Sequence, residues 1–197
     1  VSDQPLLDKS QLIRSENING GIVLIGSHVH KTTLQREELR RSGYPVRFLE
    51  FDQFLALREG GLEREAKRVT RLAESEIERG NSVVVYTRRQ RLDLDTDDKE
   101  KQLEISVRIS DALTGIIANL KVRPSFIVAK GGITSSDVGT KALGVKRALV
   151  MGQIAPGIPV WMTGEESRFP NMPYVIFPGN VGSVDTMKEI VGALIGA

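Results

Sequence analysis

The sequence predicts an α/β protein with three layers, in which a mostly parallel or mixed sheet carries helices on both faces, as in Rossmann-like folds. Two observations carry this prediction. Up to residue 130, short apolar runs alternate with helical patterns, which is typical of parallel strands joined by crossover helices. After residue 130 the apolar runs lie closer together and are separated by glycine and proline, which favours an antiparallel extension near the C-terminus.

The first part of the chain contains four short runs of apolar and β-branched residues, which predict buried strands. These runs are residues 21–26, 46–51, 81–87 and 125–129. Helical patterns at residues 32–41, 62–79 and 102–120 connect them. The second helix has apolar residues every three or four positions and ends at Gly80, as expected for an amphipathic helix with a glycine cap. The polar stretch 88–101 is predicted as a loop.

The second part of the chain predicts smaller elements. A glycine turn leads to a short helix closed by Gly144, and residues 148–151, 160–163 and 174–177 follow as strands. Residues 185–197 have the apolar spacing of a final helix. No repeat or linker occurs after residue 20, so residues 21–197 are predicted to form one domain. The chain begins with Val1 and a polar stretch, and we expect it to be a piece of a larger protein.

Composition excludes several classes of function. Lys and Arg number 27 against 25 Asp and Glu among 197 residues, and this near-balance argues against a nucleic-acid partner. The aromatic share of 5% is too small for a base-stacking surface. With no cysteine, the chain has no disulfide or thiolate site, which fits a cytoplasmic location. No apolar run approaches the ~20 residues of a membrane span, so neither a membrane segment nor a signal peptide is predicted.

Three glycine-containing segments each follow a predicted strand and precede a predicted helix. They are residues 26–33, 130–137 and 178–183. In open α/β sheets, ligands bind beyond the carboxyl ends of the strands, where the N–H groups that begin helices favour anions. One such segment is usually only a turn and a helix cap. Three of them in one domain favour a polyphosphate or nucleotide site.

Known phosphate-binding motifs do not describe these segments. Gly21 and Gly26 have the glycine spacing of a phosphate loop, but Ser27 and His28 stand where Lys and Ser or Thr are required. No G-x-G-x-x-G follows a predicted strand, so a nicotinamide cofactor has no fingerprint here. The predicted phosphate cradle is therefore of another kind.

Several cations near these segments have two interpretations. Lys31 either contacts a phosphate or is a solvated surface residue. Arg88, Arg89 and Arg91 follow the third strand, and they either neutralise a phosphate or an acidic substrate, or balance nearby aspartates. Lys130 precedes the double glycine, but a Schiff-base lysine requires a desolvated pocket, and the sequence gives no sign of one.

No metal site is predicted. His28 and His30 lie two residues apart without a nearby carboxylate, which is a poor set of ligands, and we interpret them as loop residues. The acidic stretch 93–104 imitates a calcium loop, but Asp98 stands where that loop needs glycine. We therefore predict a solvated acidic loop.

Four sequence blocks, taken together and in order, resemble a known family. They are Gly26-Ser27-His28-Val29 with Lys31-Thr32-Thr33 and Gln35; Lys130-Gly131-Gly132-Ile133-Thr134-Ser135-Ser136-Asp137; Gly152-Gln153-Ile154 with Pro156-Gly157-Ile158-Pro159-Val160-Trp161; and Phe177-Pro178-Gly179-Asn180-Val181-Gly182. These blocks closely resemble the four-carbon acid sugar kinases, and more narrowly their carboxy-terminal nucleotide-binding domain. The resemblance extends from about residue 21 to the end of the chain.

The resemblance implies ATP-dependent phosphorylation of a four-carbon sugar acid such as a threonate, an erythronate or an oxo-tetronate. ATP and Mg²⁺ are the implied cofactors, and the catalytic residues stay unknown. The family's ATP contacts map onto Ser27, Gly131, Gly132, Ile133, Thr134 and Gly179, with Ser135 and Gly182 as close neighbours. The same three turns are selected by the sheet argument.

The chain departs from the family pattern at two places. Ile133 stands where family members often carry an acidic residue, so a metal-binding role there is weakened. Phe177-Pro178-Gly179 replaces a common Lys-Ser-Gly, so a phosphate-contacting lysine is expected to be absent at Phe177.

The resemblance also implies a missing part. The family's amino-terminal domain, which carries an Asp-Asp-x-Thr-Gly block and the sugar-acid site, has no counterpart here. We therefore expect residues 1–20 to be a lead-in from that missing domain of the same chain and residues 21–197 to be the nucleotide-binding domain. The general base should lie in the missing domain, so the fragment alone should be inactive. A homo-oligomer stays open.

Two alternatives to the kinase remain. A non-catalytic effector or sensor domain would keep the fold and bind a nucleotide or a sugar phosphate without turnover. A weaker alternative is the partner of a fused acid-sugar isomerase or aldolase.

Overall fold

The computed structural model describes residues 4–197, so residues 1–3 of the expected lead-in lie outside the described part. Seven strands form one sheet there. They are β1 (Ile22–Ile25), β2 (Val46–Phe51), β3 (Ser82–Thr87), β4 (Ile127–Lys130), β5 (Ala148–Ala155), β6 (Ile158–Thr163) and β7 (Pro173–Phe177). The helices are α1 (Lys9–Leu12), α2 (His30–Arg41), α3 (Gly61–Glu78), α4 (Lys99–Ala118), α5 (Gly132–Asp137) and α6 (Thr186–Ile195), together with a 3-10 helix (Gln53–Leu57) and a π-helical turn (Val138–Ala142).

The strand order is β2-β3-β1-β4-β7-β6-β5. The first five strands in this order, from β2 to β7, are parallel to one another. Strand β6 pairs antiparallel with β7, and β5 pairs antiparallel with β6. The predicted mixed sheet with an antiparallel extension is therefore confirmed. The connections from β1 and β4 leave towards opposite faces of the sheet, since α2 packs against α6 and α5 packs against α4. This arrangement opens a crevice at the carboxyl ends of these two strands.

The sheet separates two layers of core. The α3 and α4 helices cover one face, and the α2 and α6 helices cover the other. The alternation of side chains along β1 shows the division, since Ile22 and Leu24 face the first layer whereas Val23 and Ile25 face the second. All four are fully buried, as expected for a central parallel strand.

The amino-terminal segment packs against the second layer. Leu12 of α1 is buried in that layer, and the Leu7 N–H donates to the Gln153 carbonyl at 2.9 Å. This segment lies within the expected lead-in, whose boundary at residue 20 stays a prediction.

The sequence patterns missed two short elements. The α1 helix and the 3-10 helix Gln53–Leu57 are each about one turn long, which is too short for helical periodicity to show. The predicted loop at 88–101 ends at α4, where the Asp98 carboxylate accepts from the Glu100 N–H at 3.0 Å. Asp98 thus serves as a helix cap. No helix within residues 4–197 has the length and hydropathy needed to cross a bilayer.

Candidate functional site

The turns that follow β1, β4 and β7 meet at one edge of the sheet because these strands are neighbours. The ladder of hydrogen bonds continues past the strand ends, where the Gly26 N–H donates to the Lys130 carbonyl at 3.1 Å. The Gly131 N–H likewise donates to the Phe177 carbonyl at 2.9 Å. The three glycine segments selected from the sequence therefore lie side by side.

Ser27 lies between the other two turns. A Cβ added at Gly131 would lie 3.4 Å from the Ser27 nitrogen, and one added at Gly179 would lie 3.6 Å from the Ser27 Oγ. The Ser27 Oγ accepts from the Val29 N–H at 3.3 Å and from the Thr32 hydroxyl at 3.0 Å. Because both bonds use its lone pairs, the hydrogen of the Ser27 hydroxyl is free to donate.

The double-glycine turn has an open side and a buried side. Gly131 has a φ of 116°, which favours glycine, and a Cβ added at Gly132 would meet no atom within 4 Å. Ile133 is 74% exposed. Thr134 and Ser135 are buried, and the Ser135 Oγ lies 2.7 Å from the Gly131 carbonyl. Ser135 therefore supports the turn from beneath, whereas Gly132 and Ile133 face open space.

The third turn depends on glycine in a different way. Gly182 has a φ of 85°, and a Cβ there would lie 2.5 Å from the Thr186 Oγ1. The Thr186 hydroxyl accepts from the Ser183 N–H at 2.8 Å. Gly182 thus permits the backbone to enter α6 tightly.

Helix α2 ties the third turn to the first. The Lys31 ammonium donates to the Asn180 carbonyl at 3.2 Å. The Gln35 side-chain amide donates to the Ser183 carbonyl at 2.8 Å and to the Val181 carbonyl at 3.3 Å. Since Gln35 is fully buried, these bonds fix the third turn against α2.

Lys130 lies beneath the third turn with no exposed surface. Its ammonium donates to the Pro178 carbonyl at 2.9 Å and to the Gly179 carbonyl at 3.2 Å. Burial, together with the nearby charge of Lys31, lowers the pKa of Lys130 to about 8. The sequence contains no sign of this desolvated environment. That environment is created by β7, which is distant in sequence.

Arg89 supports the first turn. Its guanidinium donates to the Ser27 carbonyl at 2.9 Å and to the Thr33 hydroxyl at 2.8 Å. Burial lowers the pKa of Arg89, and the neighbouring Arg36 adds to this effect. Arg89, one of the predicted phosphate contacts, therefore lies at the turns, and its guanidinium donates to residues of the first turn segment.

Arg88 points elsewhere. Its guanidinium lies 3.3 Å from the Asp52 carboxylate and 4.2 Å from the centre of the Phe54 ring. The structure does not bring Arg88 to the three turns, and the Asp52 pair matches the alternative in which the arginine balances an aspartate.

No metal centre is evident in the described part of the chain, where no three His, Asp or Glu side chains cluster as ligands. His28 lies at the end of the first turn, and desolvation lowers its pKa, with Arg89 and Arg91 adding to the shift. Its imidazole is thereby held in the neutral form near pH 7.

Sequence reasoning missed the supporting role of two buried residues. Gln35 belongs to the first quoted block. The signal that could have indicated its role is an amide residue in the helix that directly follows a glycine turn. Lys130 gave no such signal, because its burial depends on β7 rather than on its own neighbours in sequence.

Comparison with known protein families matches residues 22–187 of the 197 to the nucleotide-binding C-terminal domain family. No curated protein matches the chain.

Several solved structures share the fold. One is a domain of unknown function (DUF1537) from Bordetella bronchiseptica with bound citrate, a domain-swapped dimer, at 19% identity and a TM-score of 0.66, covering 90% of this chain and 41% of that one. A Haemophilus influenzae DUF1537 protein has 20% identity and a TM-score of 0.62, covering 89% and 40%. A Salmonella typhimurium LT2 protein, provisionally described as a tRNA synthase, has 19% identity and a TM-score of 0.61, covering 87% and 40%.

The chain thus spans about two fifths of the length of these structures. The family match covers the sheet, the three turns and the start of α6, and it agrees with the resemblance in the sequence blocks. The chain therefore belongs to the nucleotide-binding C-terminal domain family.

Proposed function

We propose that this chain is the ATP-binding domain of a kinase that phosphorylates a four-carbon sugar acid of the threonate, erythronate or oxo-tetronate type. The observation that supports this proposal most is the meeting of three glycine turns at the carboxyl ends of β1, β4 and β7. Glycines let a backbone approach phosphates closely. Ser27, Gly132, Ile133 and Gly179 lie on the ligand side of this edge, and Gly131, Thr134, Ser135 and Gly182 shape it.

Charge at this edge also favours a polyanion. Lys31, Lys130 and Arg89 all donate to carbonyl oxygens of the first and third turns. Within residues 4–197, none of these three cations forms an ion pair with a carboxylate. Buried cations without a counter-charge are costly, and nucleotide phosphates would supply that charge.

Phosphoryl transfer requires mainly positioning and charge neutralisation. In this account, the turns hold the polyphosphate while Lys130 and Arg89 keep the turns in place and add positive potential from beneath. The carboxylates of the described chain build no metal cage, and Mg²⁺ in such sites is held largely by phosphates and water. Mg²⁺ therefore belongs to the bound nucleotide.

The acceptor hydroxyl and the general base are assigned to an amino-terminal sugar-acid-binding domain of the same protein. The coverage of about 40% of the similar structures supports such a domain. In that arrangement the closure of two domains would exclude water from the transferred phosphate. We place the protein in the cytoplasm, in keeping with its lack of cysteine, and its assembly into a homo-oligomer is a further proposal.

The experiment that tests the activity uses the longer protein that contains this domain. A coupled ADP-release assay across threonate and erythronate stereoisomers should show turnover that depends on both the acid and Mg²⁺. An alanine substitution at Gly179, where a Cβ makes only ordinary contact, should lower that turnover. Nucleotide binding without release of ADP for any acid would instead favour the effector or sensor domain.

A further inference from the structure

A cavity of about 280 Å³ opens beside the three turns, beyond the ends of β1 and β3. We call it the side pocket. Its walls include Gly26, Thr87, Ile109, Leu113, Ile133 and Thr134. Helix α4 forms one wall, and the first turn of α5 forms another. The volume is close to the lower end of the range for small-molecule sites.

One buried polar group in the side pocket has no partner. Thr87, the last residue of β3, is 1% exposed, and its Oγ1 makes no hydrogen bond within the described structure. Buried hydroxyls are nearly always hydrogen-bonded, because leaving one unpaired is unfavourable. An unpaired hydroxyl on a cavity wall indicates a ligand that completes the bond.

The lining of the side pocket combines apolar side chains with uncharged polar side chains. Ile109, Leu113 and Ile133 supply apolar surface, whereas Thr87 and Gln53 are buried neutral polar residues. The Gln53 amide is already bonded, since it donates to the Arg88 carbonyl at 2.7 Å and accepts from the Arg88 N–H at 2.8 Å.

Charge is kept to the rim of the side pocket. Arg91, an exposed residue, is the charged side chain among the lining residues, and His28 is held neutral by its lowered pKa. These walls carry no buried cation that could bind a carboxylate. They suit a flat, uncharged heterocycle, which would contact the apolar side chains and form a hydrogen bond with the Thr87 hydroxyl.

The side pocket and the three turns share residues. Ile133 and Thr134 belong to the double-glycine segment and also line the cavity. Gly26 lets Thr134 pack directly against the first turn, because a Cβ at Gly26 would lie 1.8 Å from the Thr134 Oγ1. A single molecule can therefore contact both places, with an anionic end on the turns and a neutral end in the side pocket.

We propose that the side pocket holds the nucleoside end of the nucleotide and that the Thr87 hydroxyl forms a hydrogen bond with it. This inference rests on the proposed nucleotide site. In this proposal, residues of β3 and α4 recognise the nucleoside, which the three turns do not contact. The turns bind any polyphosphate, whereas the side pocket distinguishes a nucleotide from a bare phosphate chain.

The test compares Mg²⁺-ATP with Mg²⁺-tripolyphosphate by calorimetry. Thr87→Val keeps the shape of the side chain but removes the hydroxyl. It should weaken ATP binding about fivefold to tenfold, the usual effect of one hydrogen bond, and leave tripolyphosphate binding unchanged. Ser106→Trp, on the exposed α4 wall of the pocket, should reduce ATP affinity to that of tripolyphosphate. Thr140→Val, at an exposed position outside the pocket, serves as the matched control.

Each outcome decides the inference. Equal loss of affinity for both ligands, or no loss for either, in folded Thr87 and Ser106 variants would overturn the assignment. Loss of binding to a four-carbon acid, with ATP affinity retained, would make the cavity an acceptor site and also overturn it. If the wild-type chain binds tripolyphosphate as tightly as ATP, the inference fails while the phosphate site stands. If it binds neither, the proposed function itself fails.

Discussion

Lys130 and Phe177 are paired across the parallel strands β4 and β7, and the ammonium of Lys130 lies 3.7 Å from the centre of the Phe177 ring. From this position the lysine reaches the carbonyls that follow Phe177 in the third turn. A cation against an aromatic face is favourable, and the ring also removes the lysine from water. Lys130 thus provides a cation at the third turn from the neighbouring strand.

Replacing Lys130 with methionine should weaken nucleotide binding. Methionine keeps the length of the side chain but removes both the charge and the bonds to Pro178 and Gly179. We expect ATP affinity to fall about tenfold or more, since the variant loses a positive charge beneath the turn that we assign to the phosphates, and an interaction with a charged group contributes roughly 1.5–3 kcal/mol. Calorimetry checks this result, with Lys146→Met, an exposed lysine elsewhere, as the control. An unchanged affinity in a folded Lys130 variant would remove this residue from the site.

The stability of the ligand-free chain should rise between about pH 8 and pH 10.5. Burial lowers the pKa of Lys130 from 10.5 to about 8 in the folded chain. In this window the unfolded chain binds more protons than the folded chain, so the free energy of unfolding increases with pH. We expect a gain of roughly 1–3 kcal/mol, measured by urea unfolding at several pH values. The Lys130→Met variant should lack this rise, and a rise of the same size in that variant would assign it to another group.

Gly132→Val should fold normally and lose nucleotide binding. A Cβ at Gly132 meets no protein atom within 4 Å, so the added side chain occupies space that we assign to phosphate. We expect the melting temperature to change by about 2 °C or less, within the range of surface substitutions, and ATP affinity to fall at least about tenfold.

Two further glycines are the controls for this substitution. Gly131→Val should destabilise the fold itself, because the φ of 116° at Gly131 disfavours a branched side chain. Gly115→Val, in the last turn of α4, should not affect ATP binding. If Gly132→Val binds ATP as the wild type does, the double-glycine turn does not lie against the phosphates.

The fold followed from the sequence because its signals are local. Apolar runs such as residues 22–25 and 83–86 identify buried strands without reference to the rest of the chain. The closer spacing after residue 130 likewise identified the antiparallel strands. The single-turn helices were missed because one turn has no repeat to detect.

Only part of the candidate site could be predicted from the sequence. The three adjacent turns could be located because glycines and hydroxyl residues mark them in the sequence. The orientations of Arg88 and Arg89 were not predictable, since both residues follow the end of β3, where the alternation of a strand no longer applies. The burial of Lys130 depends on the pairing of β4 with β7, 47 residues apart in the chain (Lys130 and Phe177). No local pattern carries that information.

The most direct test of the central claim is calorimetric titration of this chain alone with Mg²⁺-ATP. The three turns, and the cations beside them that form no ion pair within residues 4–197, predict saturable binding with a dissociation constant of roughly micromolar to millimolar. This binding is expected to be weak because the titration contains no second domain that could close over the nucleotide. A coupled ADP-release assay on the same sample should show no turnover with four-carbon acids. Absence of nucleotide binding up to several millimolar, roughly the weak limit of that range, would contradict the account, and acid-dependent release of ADP by this chain would contradict the assignment of the catalytic groups to another domain.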